Sequence, residues 1–189
     1  MFERFTKDAR GVVQAAVEHA ERTGAPSVDA EHMLLALLDR EGSRAWFAFT
    51  SLGVTAERKE SIREAVAEAR RRAGLSRSEA DALAGLGIDV AEIVARVEAV
   101  HGIGAMSGDR RDKSWWSGRR SFGRSAKQIL ETSLRTAVAH GDRHIGDEHI
   151  LLALTARPGI PAEILADRGV TYESLIRVLF GGGGEAKAG

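Results

Sequence analysis

The sequence has no cysteine, only three prolines, a single tyrosine and no surplus of charge of either sign. Without cysteine there can be no disulfide, no thiolate metal site and no thiol nucleophile. Lys plus Arg equals Asp plus Glu at 27 each, so no global field draws the chain to nucleic acid or to an anionic membrane. The apolar runs, such as Met33 to Leu38, fall far short of the ~20 residues that cross a bilayer. The charged opening "MFERFTKDAR" lacks the apolar stretch of a secretory signal. Nowhere does a glycine-rich loop close with Lys and Ser or Thr, as phosphate binding by a nucleotide motor requires. A nucleophile elbow is equally missing. These absences leave a cytoplasmic, non-membrane protein that is not an enzyme.

What remains favours helix. Ala, Leu, Glu and Arg abound and lose little rotamer freedom in a helix. Hydrophobic residues make up 43 % and charged residues 29 %, ordinary for a globular chain. At 20.3 kDa there is material for one substantial domain or two small ones.

The stretch "DAEHMLLALL" beginning at Asp29 returns as "GDEHILLALT" beginning at Gly146, 117 positions later. The same shift places Phe5 on Phe122, Ala9 on Ala126, Gly24 on Gly141 and Val28 on Ile145. After a one-residue deletion, Gly53-Val54-Thr55 falls on Gly169-Val170-Thr171. A register held that long marks a duplicated unit. Each copy reads as four helices. The first follows Thr6 or Ser125 as N-cap, with Ala9, Val12, Val13, Ala16, Val17 and Ala20 on one face, and ends before Gly24 or Gly141. The second starts at the repeated stretch, with Asp29 as cap in copy one and a Val28–Met33 or Ile145–Ile150 staple. It ends at Gly42 or Pro158-Gly159. The third spans about 45–51 and 162–167, and the fourth about 56–72 and 172–180.

Residues 1–75 and 122–180 therefore form the two copies. Residues 76–121 hold one extra amphipathic helix, over Leu86 to Val100, and a basic linker, "GDRRDKSWWSGRRS". Residues 181–189 form a flexible tail. Trp115 and Trp116 sit among five cations; they suit docking onto the helices, contact with a partner, or stacking on bases. His140, His144 and His149 with Asp142 are of zinc-ligand type. Only His149 has a counterpart in the first copy, so they read as capping and turn residues, with no metal or cofactor.

Glu31 and Glu148 fall near the second position of a helix, where unpaired N–H groups and the dipole favour an anion. A carboxylate there stabilises its own helix by roughly 0.3–1 kcal/mol. It also suits a two-pronged bond to a guanidinium, with helix N–H donors nearby for a phosphate. Spacing leaves both readings open.

The paired "EH-x-LLAL" signatures resemble the duplicated N-terminal domain of the Clp (Hsp100) unfoldases, nearest the ClpC type, over about 1–72 and 122–180. The resemblance implies an all-α bundle of about eight helices related by a pseudo-twofold axis. It implies a non-catalytic receiver of substrates and adaptors for an ATPase ring. It also implies a phosphoarginine-type ligand at Glu31 and Glu148, and a surface for cyclic peptide antibiotics that includes Phe2. The family commonly has Gly-Thr before Glu-His, where this chain has Asp29-Ala30 and Gly146-Asp147. At ~4 Å and an effective dielectric near 20, Asp147 opposes an anion by roughly 4 kcal/mol before screening, so copy one is the better site. The glycine tail stands where the family continues into an ATPase module, which suits a free-standing adaptor or decoy for a ClpC-type unfoldase. The alternative is a ligand-responsive DNA-binding regulator acting through the Trp-bearing linker.

Overall fold

The computed structural model describes residues 2–103, 105–106 and 121–181. Among them are ten α-helices and two very short strands, so the fold is all-α. A 3-10 turn, Phe2–Arg4, leads into α1 (Lys7–Arg22), which Thr6 caps by accepting the Ala9 amide at 3.1 Å. The next helices are α2 (Ala30–Asp39), α3 (Arg44–Ser51) and α4 (Ala56–Arg71). Ser43 and Thr55 cap α3 and α4 in the same manner. The second copy repeats the series as α7 (Arg124–Ala139), α8 (Asp147–Ala156), α9 (Ile160–Ala166) and α10 (Tyr172–Phe180). Gly24 and Gly141 both adopt the left-handed conformation after their first helices, with φ of 69° and 74°. A side chain would strain the backbone there.

Between the copies stand two helices rather than the single one expected: α5 (Arg77–Gly85) and α6 (Val90–His101). Helix α5 buries none of its residues, so no apolar stripe announces it. Its one local signal is the Ser76–Glu79 capping box, in which each side chain accepts the other's backbone N–H.

The two copies exchange backbone bonds. Strand β1 (Ser27–Val28), ahead of α2, pairs in parallel with β2 (Ser121–Phe122), ahead of α7. Phe5, ahead of α1, makes the matching bridge to Ile145, ahead of α8. Each copy thus offers the lead-in of its second helix to the lead-in of the other's first. That reciprocity is the pseudo-twofold relation written in hydrogen bonds. The core lies on α2 and α8, which pack against each other and bury Met33, Leu34, Leu37, Ile150, Leu151 and Leu154 completely or nearly so. At about 1.5–3 kcal/mol for each fully buried large aliphatic chain, this shared layer binds the copies into one unit. The N-termini of α2 and α8, with their two acids, lie at the seam between the copies.

Candidate functional site

Glu31 and Glu148 each occupy the second position of their helix, α2 and α8. Behind each, the neighbouring histidine is tied back in the same way. The Asp29 amide donates to His32 Nδ1, and the Gly146 amide donates to His149 Nδ1, both at 2.9 Å. With Nδ1 accepting, Nε2 of His149 carries the proton and donates to Asp142 at 3.1 Å. Burial holds the His149 imidazole below its ordinary pKa, against the pull of Asp142. His140 stacks on Phe180, with ring centroids 4.0 Å apart. Among the described residues no group of three or more His, Asp and Glu is placed to hold a metal ion.

The acids themselves part company. The Glu148 carboxylate is folded back over its own N-cap, where a Cβ added to Gly146 would lie 2.0 Å from Oε2. It is only 4 % exposed, and Arg44 of α3 donates to Oε1 at 3.0 Å. The same guanidinium lies 5.7 Å from the centre of the Phe180 ring. Asp147, 2 % exposed, accepts the Ala45 amide at 3.0 Å and so satisfies the first turn of α3 from the other copy. Burial pushes the Glu148 carboxyl up to about 7, and Asp147 adds to the rise while Arg44 opposes it. Oε1 also lies 3.6 Å from His149 Nδ1. That nitrogen already accepts the Gly146 amide, so the neutral ring has no proton for the carboxylate. Glu148 is sealed within the protein and holds an arginine of its own chain.

In the first copy the N-cap is Asp29 rather than a glycine. Asp29 does not cap α2 with its side chain as expected. Its two oxygens instead accept the hydroxyls of Ser27 and Ser125, each at 3.0 Å. Ser125, expected as the N-cap of α7, lies inside that helix, whose N-cap is Gly123. Its hydroxyl caps the other copy, accepting the Ala30 amide at 3.1 Å. Glu31 is left at a cavity of about 360 Å³ lined by Asp29, His32, Arg70, Met106 and Ser125 among others. Among the described residues Glu31 makes no ion pair and no hydrogen bond to another side chain. Burial raises its carboxyl, with repulsion from Asp29 adding to the rise, while its own amide and Arg70 pull it down. Arg70 reaches the same cavity, with Nη1 2.9 Å from His32 Nε2.

The N–H groups expected to hold a phosphate are mostly spent. Ala30 donates to Ser125, His32 to the Asp29 carbonyl, and the Glu31 amide to its own carboxylate. Among the described residues Arg70 is the cation lining this cavity, from a helix the linear motif does not include. Phe2 opens the N-terminal 3-10 turn. Trp115, Trp116, the basic stretch around them and residues 182–189 lie outside the described residues. Among the described residues no helix is long and apolar enough to cross a membrane.

Gly146→Ala checks the packing. The new methyl must displace the Glu148 carboxylate, with a stability loss of about 1–3 kcal/mol. The corresponding Asp29→Ala removes no packed acid from such a place. Thermal melts of the two variants compare them directly; a G146A variant as stable as the wild type contradicts the folded-back carboxylate.

The class so defined is a twinned all-α bundle with an acid at the head of each inner helix, one of them lining a cavity at the seam. The profile of the Clp repeat (R) N-terminal domain matches residues 4–84 and 121–182, and the chain belongs to that family. It is 31 % identical to the chloroplastic chaperone protein ClpC1 of Arabidopsis thaliana over 89 % of this chain and 14 % of that protein. It is 28 % identical to the chaperone protein ClpB of Oceanobacillus iheyensis over 100 % of this chain and 18 % of that protein. The chain thus spans less than a fifth of the length of these relatives. The N-terminal domain of the chaperone ClpD from Arabidopsis thaliana shares the fold, with a TM-score of 0.51 at 18 % identity, covering 96 % of this chain and 95 % of that one.

Proposed function

We propose that this chain is a non-catalytic binding module of the Clp proteolytic system. It captures peptides, adaptors or substrates handled by a ClpC-type unfoldase, as an adaptor or a decoy. In this reading residues 1–75 and 122–180 are the paired binding units, and Glu31 is the working recognition group for a guanidinium or phosphoarginine-type ligand. The observation that carries it is the contrast between the two acids. Glu148 already grips Arg44, whereas Glu31 faces a cavity and, among the described residues, bonds no other side chain. Glu148 shows in miniature how such a carboxylate receives an arginine: a charge-assisted N–H···O bond, with an aromatic ring under the guanidinium. At Glu31 an incoming guanidinium supplies the missing charge, and Arg70 is the nearby donor for a phosphoryl group.

Titration of phosphoarginine by calorimetry or NMR tests this. Glu31→Ala should weaken binding by about tenfold or more, the loss of one charge-assisted contact worth about 1.4 kcal/mol. Glu148→Ala should change it by about twofold or less once the folded fraction is matched. Equal losses at the two positions, or no binding by the wild type, would overturn the assignment.

A further inference from the structure

A second cavity, of about 350 Å³, lies where α4 and the start of α5 meet α9 of the other copy. One wall is apolar: Ala65 and Ala69 from α4, Ile160 and Ile164 from α9. Around it stand three arginines, Arg72, Arg77 and Arg168, and three acids, Glu68, Glu163 and Asp167. The formal charges cancel, but the pairings do not. Glu68 bonds Arg71, which is not a lining residue. Glu163 accepts the Arg77 amide and the Ser78 hydroxyl, and those bonds hold its carboxyl below the ordinary range despite some burial. Asp167 lies 3.8 Å from Arg77. Arg168 spends its donors on neutral oxygens, the carbonyls of Ile164 and Ser61 and the Ser61 hydroxyl.

Arg72 is different. Among the described residues its side chain makes no ion pair and no hydrogen bond, and its Nε is sealed from solvent without a partner. A guanidinium with an unsatisfied, desolvated donor is costly and calls for an acceptor. A planar carboxylate matches its geometry. The adjoining alanines and isoleucines leave room for a short aliphatic group beside it. A pocket of a few hundred Å³ with an apolar wall and one oriented charged group has the general character of a small-ligand site.

We propose that this cavity binds a free carboxylate carried on a small aliphatic group, the chemistry of a peptide ending in a residue such as valine. Arg72 takes the carboxylate, and the Ala65, Ala69, Ile160 and Ile164 wall takes the side chain. The site shares no lining residue with the Glu31 cavity, and it stands without the reading of Glu31.

Calorimetry on the whole chain with N-acetyl-Gly-Val as the free acid, its C-terminal amide, and isobutyrate tests the assignment. The free-acid peptide binds, and amidation weakens it at least about tenfold, as does Arg72→Ala. Ala65→Leu, which fills the cavity without touching charge, removes binding as well, so a folding defect in either variant alone leaves the result readable. Isobutyrate binding as tightly as the peptide identifies a free acid as the ligand source; weaker isobutyrate binding identifies a chain end. The proposal is overturned by equal binding of acid and amide, by R72A binding like the wild type, or by no binding at all. Loss of peptide binding in E31A but not in R72A also overturns it, because the peptide then sits at Glu31.

Discussion

Arg44→Ala is expected to cost little stability near pH 5 and on the order of 2 kcal/mol near pH 8. Removing one partner of a buried ion pair costs about 3–5 kcal/mol when both charges are sealed from water. Here Glu148 is sealed but the Arg44 side chain is 53 % exposed, so solvent already screens part of the pair and the cost is smaller. The pH dependence follows from the carboxyl's own titration. Its pKa is raised by burial to about 7 from an ordinary 4.5, so the folded protein holds a proton that the unfolded chain has released. The stability this supplies is complete below about pH 4.5 and is lost as pH rises through about 7. Taking Arg44 away removes one of the two influences that favour the charged form, leaving only the bond from the carboxylate's own backbone amide. The carboxyl then rises further and the loss deepens at high pH.

His149 works in the opposite sense within the same interval. Its depressed imidazole contributes stability above about pH 6.5 that disappears as pH falls. What Glu148 and His149 add to the wild-type profile is therefore a difference of two opposed effects. A cycle of wild type, R44A, E148Q and R44A/E148Q isolates the Arg44–Glu148 contribution, because His149 is common to all four. Urea denaturation near pH 5 and pH 8 should show a coupling that grows with pH. A coupling equal at both values would show that Glu148 is ionised throughout.

The second large effect concerns the shared core. Leu34→Ala and Leu151→Ala should each cost about 3 kcal/mol, within the usual range for a fully buried leucine. Both side chains are completely buried, and they occupy the same place in the two copies. Because α2 packs on α8 and each copy lends backbone bonds to the other, either substitution should lower a single unfolding transition of the whole bundle. Val138→Ala, at a position 62 % exposed, should stay within about 0.5 kcal/mol of wild type. Denaturation followed by circular dichroism and by hydrogen exchange in both copies checks this. Two separated transitions, each sensitive to only one leucine, would mean that the copies fold independently.

Much of the architecture was legible in the linear text because its causes are local. The three-four spacing of Ala9, Val12, Val13, Ala16 and Ala20 forces one face inward. Thr6, Ser43 and Thr55 begin helices because a hydroxyl can reach an amide three positions on. Helix α5 escaped because it buries nothing, and periodicity detects only faces that are buried. Ser125 misled because a good capping hydroxyl looks the same whether it serves its own helix or one that meets it from 95 positions away.

The chain's letters alone fixed the duplication, the helical class and the placing of an acid at the second position of both inner helices. Three-dimensional packing decided what each acid became. Glu148 folds back because Gly146 offers no Cβ, and it meets Arg44 from 104 positions away. Glu31, beside an Asp29 N-cap, lines a cavity with Arg70. Helix propensity and spacing act over a few residues, whereas burial and charge pairing depend on which helix ends the fold brings together. Two copies of one motif thus acquired different electrostatic surroundings, one closed on its own arginine and one lining a cavity.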